Sequence, residues 1–176
     1  MKNFLRLALL LVLVAPIAVS CGGGGGTRGP DRQEGRVEEA KLREFIPFFP
    51  AAPAGYTRGE EPGMYSGSDG STISYTYTNG TKMFSVILTF STKNTGETET
   101  MMNDESQRSM FGFDKATVAG RDALTAKQRG AGRADFTVVV SNSRMVSIAP
   151  ASDDLPDLAM IKQVFEKIDF DGIANK

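Results

Sequence analysis

The sequence predicts a single α+β domain: an antiparallel sheet of about five to seven strands with N-terminal, middle and C-terminal helices. Three stretches carry the prediction. TISYTYTNGTKMFSVILTFST, residues 72–92, alternates apolar and hydroxyl side chains on both sides of Asn79-Gly80. DFTVVVSNSRMVSIAP, residues 135–150, repeats that pattern around Asn142-Ser143. Period-2 alternation marks strands, and consecutive hairpins make antiparallel neighbours. SDDLPDLAMIKQVFEKIDF, residues 152–170, instead places Leu158, Ile161, Val164, Phe165 and Ile168 at helical spacing. Strands in a cluster with helices before, between and after them define the class.

The chain starts with Lys2 and Arg6, followed by the apolar run Leu7–Val19, which is uncharged and broken by Pro16. That is the charge and length pattern of a signal peptide, and it falls short of the roughly 20 residues a membrane-spanning helix needs. Ala18-Val19-Ser20 has the small-x-small form that an ordinary signal peptidase cleaves. Ala18-Val19-Ser20-Cys21 also resembles the lipobox of bacterial lipoproteins, with Ala18 in the place where Leu is preferred. That resemblance implies a diacylglyceryl group on the Cys21 sulfur and, after cleavage, a fatty acid such as palmitate on its amine. It also implies a bilayer as partner. Gly22 follows the cysteine, and by the sorting habit of Gram-negative lipoproteins this implies the outer membrane, facing the periplasm. A lone thiol in an oxidising compartment invites intermolecular pairing, which acylation prevents. Gly22–Gly26 and the polar run to Gly35 then read as a tether. The expected organisation is a signal peptide over 1–20, acylated Cys21 and tether over 21–35, and the α+β domain over 36–176.

Within the domain, Val37, Ala40, Leu42, Phe45 and Ile46 mark a short helix over 37–45, ended by Pro47 and Pro50. Phe48 and Phe49 are expected to dock onto the core, and FPAAPAGY is a proline-rich turn into the first strand. In the first hairpin Asn79-Gly80 predicts a type I′ turn. It puts Ile73, Tyr75 and Tyr77 on one face of the first arm, and Phe84, Val86, Leu88 and Phe90 on one face of the second. Met101, Met102, Glu105 and Met110 fit a helix within 97–113. Two short extended stretches follow, about 115–118 and 122–128, with Gly120 in the turn between them. Asp154 is the expected N-cap of the last helix, and Phe170 and Ile173 fold the tail back. The order resembles the architecture of PsbP/Mog1-like α+β domains; a fold carries no function by itself.

Composition narrows the chemistry. The chain has no histidine and one cysteine. This removes Ser-His-Asp, Cys-His and His/Cys zinc sites. Cleavage before Cys21 leaves 18 basic residues against 21 acidic ones, a balance unlike the basic stripe of a nucleic-acid binder. Seven methionines lie beyond the signal peptide with no Met-x-x-Met series, so they read as adaptable core filler and no metal or cofactor is expected. Acidic pairs such as Asp153-Asp154 read as surface or capping residues. The candidate contacts for a ligand or partner are Arg121, Arg129 and Arg133, in a Gly/Arg-rich region that suits an anion, together with Tyr65, of a residue type favoured at interfaces. The expected function is that of a non-enzymatic envelope lipoprotein binding a protein partner or small ligand at the membrane surface. The alternatives are an assembly factor of an envelope complex and a hydrolase that works without histidine.

Overall fold

The computed structural model describes residues 37–176; the expected signal peptide, Cys21 and the tether lie outside the described residues. In chain order the elements are α1 (Glu39–Arg43), a 3₁₀ turn (Ile46–Phe48), β1 (Thr57–Arg58), β2 (Gly63–Gly67), β3 (Gly70–Asn79) and β4 (Lys82–Phe90). Then come α2 (Thr92–Asn103), α3 (Glu105–Met110), β5 (Phe113–Val118), β6 (Arg121–Ala126), β7 (Phe136–Ser141), β8 (Arg144–Pro150), α4 (Leu158–Phe165) and α5 (Phe170–Asn175). All strands join one antiparallel sheet in the order β1-β3-β4-β8-β7-β6-β5, with β2 also paired to β3. The two hairpins read from the sequence therefore lie side by side, joined along β4 and β8.

The class is α+β as expected, but the sheet has eight strands, more than the expected five to seven. The addition comes from β1 and β2, which share the outer edge of β3. β1 pairs at Tyr77 and Thr78, and β2 pairs from Gly70 to Ser74. Their sequence carries Gly59, Pro62, Gly63 and Gly67, residues that weaken a strand signal and are tolerated on an edge.

Alternation places Ile73, Tyr75 and Tyr77 opposite Leu88, Val86 and Phe84. Val146, Ile148, Phe136 and Val138 continue the same side across β8 and β7, and all ten are buried. Leu42, Phe45 and Phe49 cover this side from the N-terminal segment, and Ile161, Phe165, Ile168, Phe170 and Ile173 from the C-terminal one. Tyr77 and Phe84 stack at 4.7 Å between ring centroids, and Phe45 meets Phe90 edge-on at 4.9 Å. Aromatic pairs of this kind add about 0.5–1.5 kcal/mol beyond area burial.

The reverse side carries Thr72, Ser74, Thr76, Ser85 and Ser147. It is covered in part by α2, which packs through Thr95 and Thr98. Each of these hydroxyls donates to the carbonyl four residues back, at 2.9 and 2.8 Å. The Thr95 hydroxyl also lies 2.6 Å from Asn142 O, which ties α2 to the turn between β7 and β8.

Four local features differ from the sequence reading. The first hairpin closes at Gly80-Thr81: Asn79 pairs with Lys82 and only Gly80 takes a positive φ, of 57°. Moving the turn by one residue moves every partner by two, so the faces are kept. The observed register is the one that brings Tyr77 onto Phe84. The N-terminal helix is confined to 39–43 and gives way to the 3₁₀ turn, which contains Pro47. The middle helix begins earlier than expected, because Ser91 caps it by accepting from Asn94 N at 3.2 Å. It breaks at Asp104, which is extended and in turn caps α3. α4, the helix expected over this stretch, is capped by Asp157, which accepts from Met160 N at 2.8 Å. Asp154 instead accepts from the Thr81 hydroxyl.

The Tyr77 hydroxyl donates to Pro50 O at 2.7 Å inside the core. Burial pushes its pKa from 10.0 up to about 12, against a smaller lowering by Arg58. A raised phenol favours folding while the phenol is neutral, so this contribution is complete below pH 10.0 and is lost as pH rises toward about 12. Burial also raises Tyr56, with Asp154 and Asp157 adding to it. Unfolding free energy measured by denaturant titration should therefore fall through that window. Tyr77→Phe should cost about 1 kcal/mol at neutral pH and make the alkaline fall shallower.

Candidate functional site

A cleft of about 480 Å³ opens where the first and last described segments meet the sheet. Its wall is built from Val37, Lys41, Glu44, Phe45, Phe90, Thr92, Ser143, Arg144 and Lys176. β4 ends at Phe90, and β8 begins at Arg144 directly opposite it. The alternation Arg144, Val146, Ile148 thus places an arginine on the apolar side of the sheet, in its last row. α1 brings Lys41 to the cleft, and Glu44 follows at its C-terminal cap. Ser143 holds the neighbouring turn through a 2.8 Å bond from Ser91 N to its carbonyl.

The Arg144 guanidinium lies 5.4 Å from the Phe45 ring centroid and 5.9 Å from that of Phe90. Its Nη1 donates to Ile173 O at 2.8 Å and Ala174 O at 3.2 Å. These carbonyls belong to the last turn of α5, where a cation is favoured. Nε is buried without a hydrogen-bond partner. Lys176 Nζ lies 3.1 Å from Glu44 Oε2. The chain enters the domain at the rim of the cleft, where Val37 N donates to Ser71 Oγ at 2.8 Å and Ser66 Oγ donates to Val37 O at 2.8 Å.

The arginines singled out from the sequence fall elsewhere. Arg121 opens β6 at the Phe90 end of the sheet, where it binds Asp171 and lies over Phe170 at 5.7 Å. Arg129 and Arg133 follow β6 at the opposite end, so the length of the strand, about 17 Å, separates them from Arg121. Arg129 makes two parallel bonds to Asp135, at 2.7 and 2.8 Å. The hydrogen bond to Asp135 raises the Arg129 pKa by more than burial lowers it. Arg133 donates to Phe111 O and Gly112 O at 2.9 and 2.7 Å and lies 5.0 Å from the Phe113 ring centroid. Arg121 ties β6 to α5, Arg129 closes the loop between β6 and β7 on itself, and Arg133 ties that loop to the turn before β5. Tyr65 is 55% exposed on the outer edge strand β2, on the hydroxyl side of the sheet. Cys21 lies outside the described residues.

Lys41, Arg144 and Lys176 were not singled out in the sequence because they are remote from one another along the chain. The one local signal was an arginine in phase with Val146 and Ile148. Among the described residues no group of three or more His, Cys, Asp or Glu is placed to hold a metal ion, and no helix is long and apolar enough to cross a membrane. Comparison with protein-family models, curated proteins and solved structures finds no significant match to this chain.

The Arg129–Asp135 pair is the most enclosed ion pair among the described residues: the Asp135 side chain is 0% exposed and that of Arg129 22%. Removing one partner of such a pair strands the other charge. Asp135→Ala should lower unfolding free energy by about 3–5 kcal/mol, read by chemical denaturation. The double variant Arg129→Met/Asp135→Ala should recover part of that loss.

Proposed function

We propose that this chain is an exported lipoprotein, held on a membrane by acylated Cys21, whose domain binds a ligand or partner at the membrane surface without catalysing a reaction. The observation that carries the reading is the position of the single cysteine, after a charged start and an apolar run and before Gly22–Gly26. Several acyl chains on one residue hold far better than one, since each buried methylene contributes about 0.8 kcal/mol. Gly22 after the cysteine points to the periplasmic face of an outer membrane if the envelope is Gram-negative.

The geometry of the domain supports a binding role. The chain passes from Cys21 to Val37, and Val37 lines the cleft, so an anchor at the cysteine leads along the backbone to this concavity. The binding reading rests on that concavity and its charged wall.

Metabolic labelling with an alkyne fatty acid tests the anchor. The wild-type chain should take up label and sediment with membranes. Cys21→Ala should lose the label and appear in the soluble periplasmic fraction. Equal labelling of the two chains would refute acylation at this residue.

A further inference from the structure

We propose that the cleft between α1, the β7–β8 turn and Lys176 is a binding site for a phosphate carried on a compact organic group. This inference stands on the cleft and does not require Cys21 to be acylated.

The argument starts from charge. Arg144 is half-buried, between two phenyl rings and the end of α5. Its partners are neutral carbonyl oxygens, its Nε has none, and among the described residues no carboxylate pairs with it. Charges removed from water are ordinarily paired; Arg133 is unpaired in the same way at the other end of the sheet, but Arg144 lines the wall of the cleft, where an anion from outside can approach its guanidinium. Lys41, exposed on the rim, also has no ion pair among the described residues. Lys176 is opposite, held by Glu44. With Glu44 counted against these three cations, the side chains lining the cleft keep a net positive charge.

Shape and chemistry then choose the ligand. Two lysines and an arginine approach from three separate segments, α1, the start of β8 and the residue after α5. A tetrahedral oxyanion can accept from several directions at once, and arginine with lysine is the usual phosphate-binding pair. The Ser143 and Thr92 hydroxyls add neutral donors at the wall. At about 480 Å³ the cleft is much larger than an inorganic phosphate needs and falls in the size range of small-molecule sites. Val37, Phe45 and Phe90 give it an apolar side. A phosphate on a small organic body, such as glycerophosphate, uses both halves. That group occurs free, as a phosphomonoester, and in a phospholipid head, as a phosphodiester; both present anionic phosphoryl oxygens to the cations.

The test uses the exported chain carrying Cys21→Ser, so that no attached acyl group competes. The probes are sn-glycerol 3-phosphate and monomeric dihexanoylphosphatidylglycerol, followed by calorimetry and by amide chemical shifts. Saturable binding is expected, with shifts centred on Val37, Lys41, Ser143 and Arg144, and weakening with added salt. Lys41→Glu should weaken it about tenfold and Lys176→Gln about fivefold. Lys127→Glu, at the other end of the sheet, should leave it unchanged. Competition between the two probes would assign the site to lipid headgroups. Binding of glycerol phosphate alone would assign it to a free organophosphate. Both results support the phosphate site. Lys41 is exposed, so its variant should keep the wild-type melting temperature. With folding thus verified, three results would each overturn the proposal: no saturation up to about 10 mM, binding indifferent to Lys41→Glu, or equal binding of acetate at matched ionic strength.

Discussion

The domain is organised by a sheet with one side almost wholly apolar and the other mixing hydroxyls with Ile87, Leu124, Val139 and Met145. Ile73, Tyr75 and Tyr77 face Leu88, Val86 and Phe84 across one ladder, and Val146 and Ile148 extend the surface across the next. A half-apolar sheet has to be covered on that half. Here the cover is drawn from the two ends of the described chain: α1 and the 3₁₀ turn before the strands, α4 and α5 after them. The opposite side carries hydroxyls, so it can be left largely to water or closed by a helix as polar as α2. Thr95 and Thr98 are suited to that position, because their hydroxyls find carbonyls along the helix and, for Thr95, in the turn between β7 and β8.

Covering the sheet from both ends has a geometric consequence. The N-terminal and C-terminal segments must meet, and they do so at the row formed by Phe90 and Arg144. There the apolar alternation runs out. Arg144 takes the position that another valine or isoleucine would hold further along, and its charge is dealt with by two aromatic faces and the carbonyls that end α5. The cleft is the gap left at one end of that meeting, bridged by Lys176 and Glu44, while Phe48 packs against Gly172 of α5.

The parts legible in the sequence were those set by short-range periodicity: the two hairpins, the buried faces of β3 and β4, and the stripe of α4. Other features were hidden for identifiable reasons. β2 contains Gly63 and Gly67 and has little apolar pattern; it is a strand because β3 offers an edge. The turn at Gly80-Thr81 was displaced from Asn79-Gly80 by the ring stack of Tyr77 on Phe84, a tertiary contact that no turn preference contains. Asp104 both ends one helix and caps the next, which a single apolar stripe cannot reveal. The cleft was the least legible part. Lys41, Arg144 and Lys176 are brought together only by the folded chain, whereas Arg129 and Arg133, adjacent in a glycine-rich loop, drew attention by being adjacent.

The contrast among the arginines separates a structural role from a binding one. Arg121 and Arg129 are paired from within the chain, by Asp171 and by Asp135, whereas Arg133, like Arg144, has carbonyl partners only and a buried Nε without one. For Arg129 the fit is bidentate to a carboxylate with no exposed surface, so recruiting it for a ligand would break a pair already taken out of water. Arg144 has the opposite balance. Its position is fixed by the β4–β8 register and by α5, while its positive charge is met by neutral groups alone. A guanidinium held rigidly, shielded by rings and left without a counter-charge interacts more strongly with an arriving anion than a solvated surface arginine does, because less water screens it. The sheet fixes where that charge sits, and the covering segments leave it an opening.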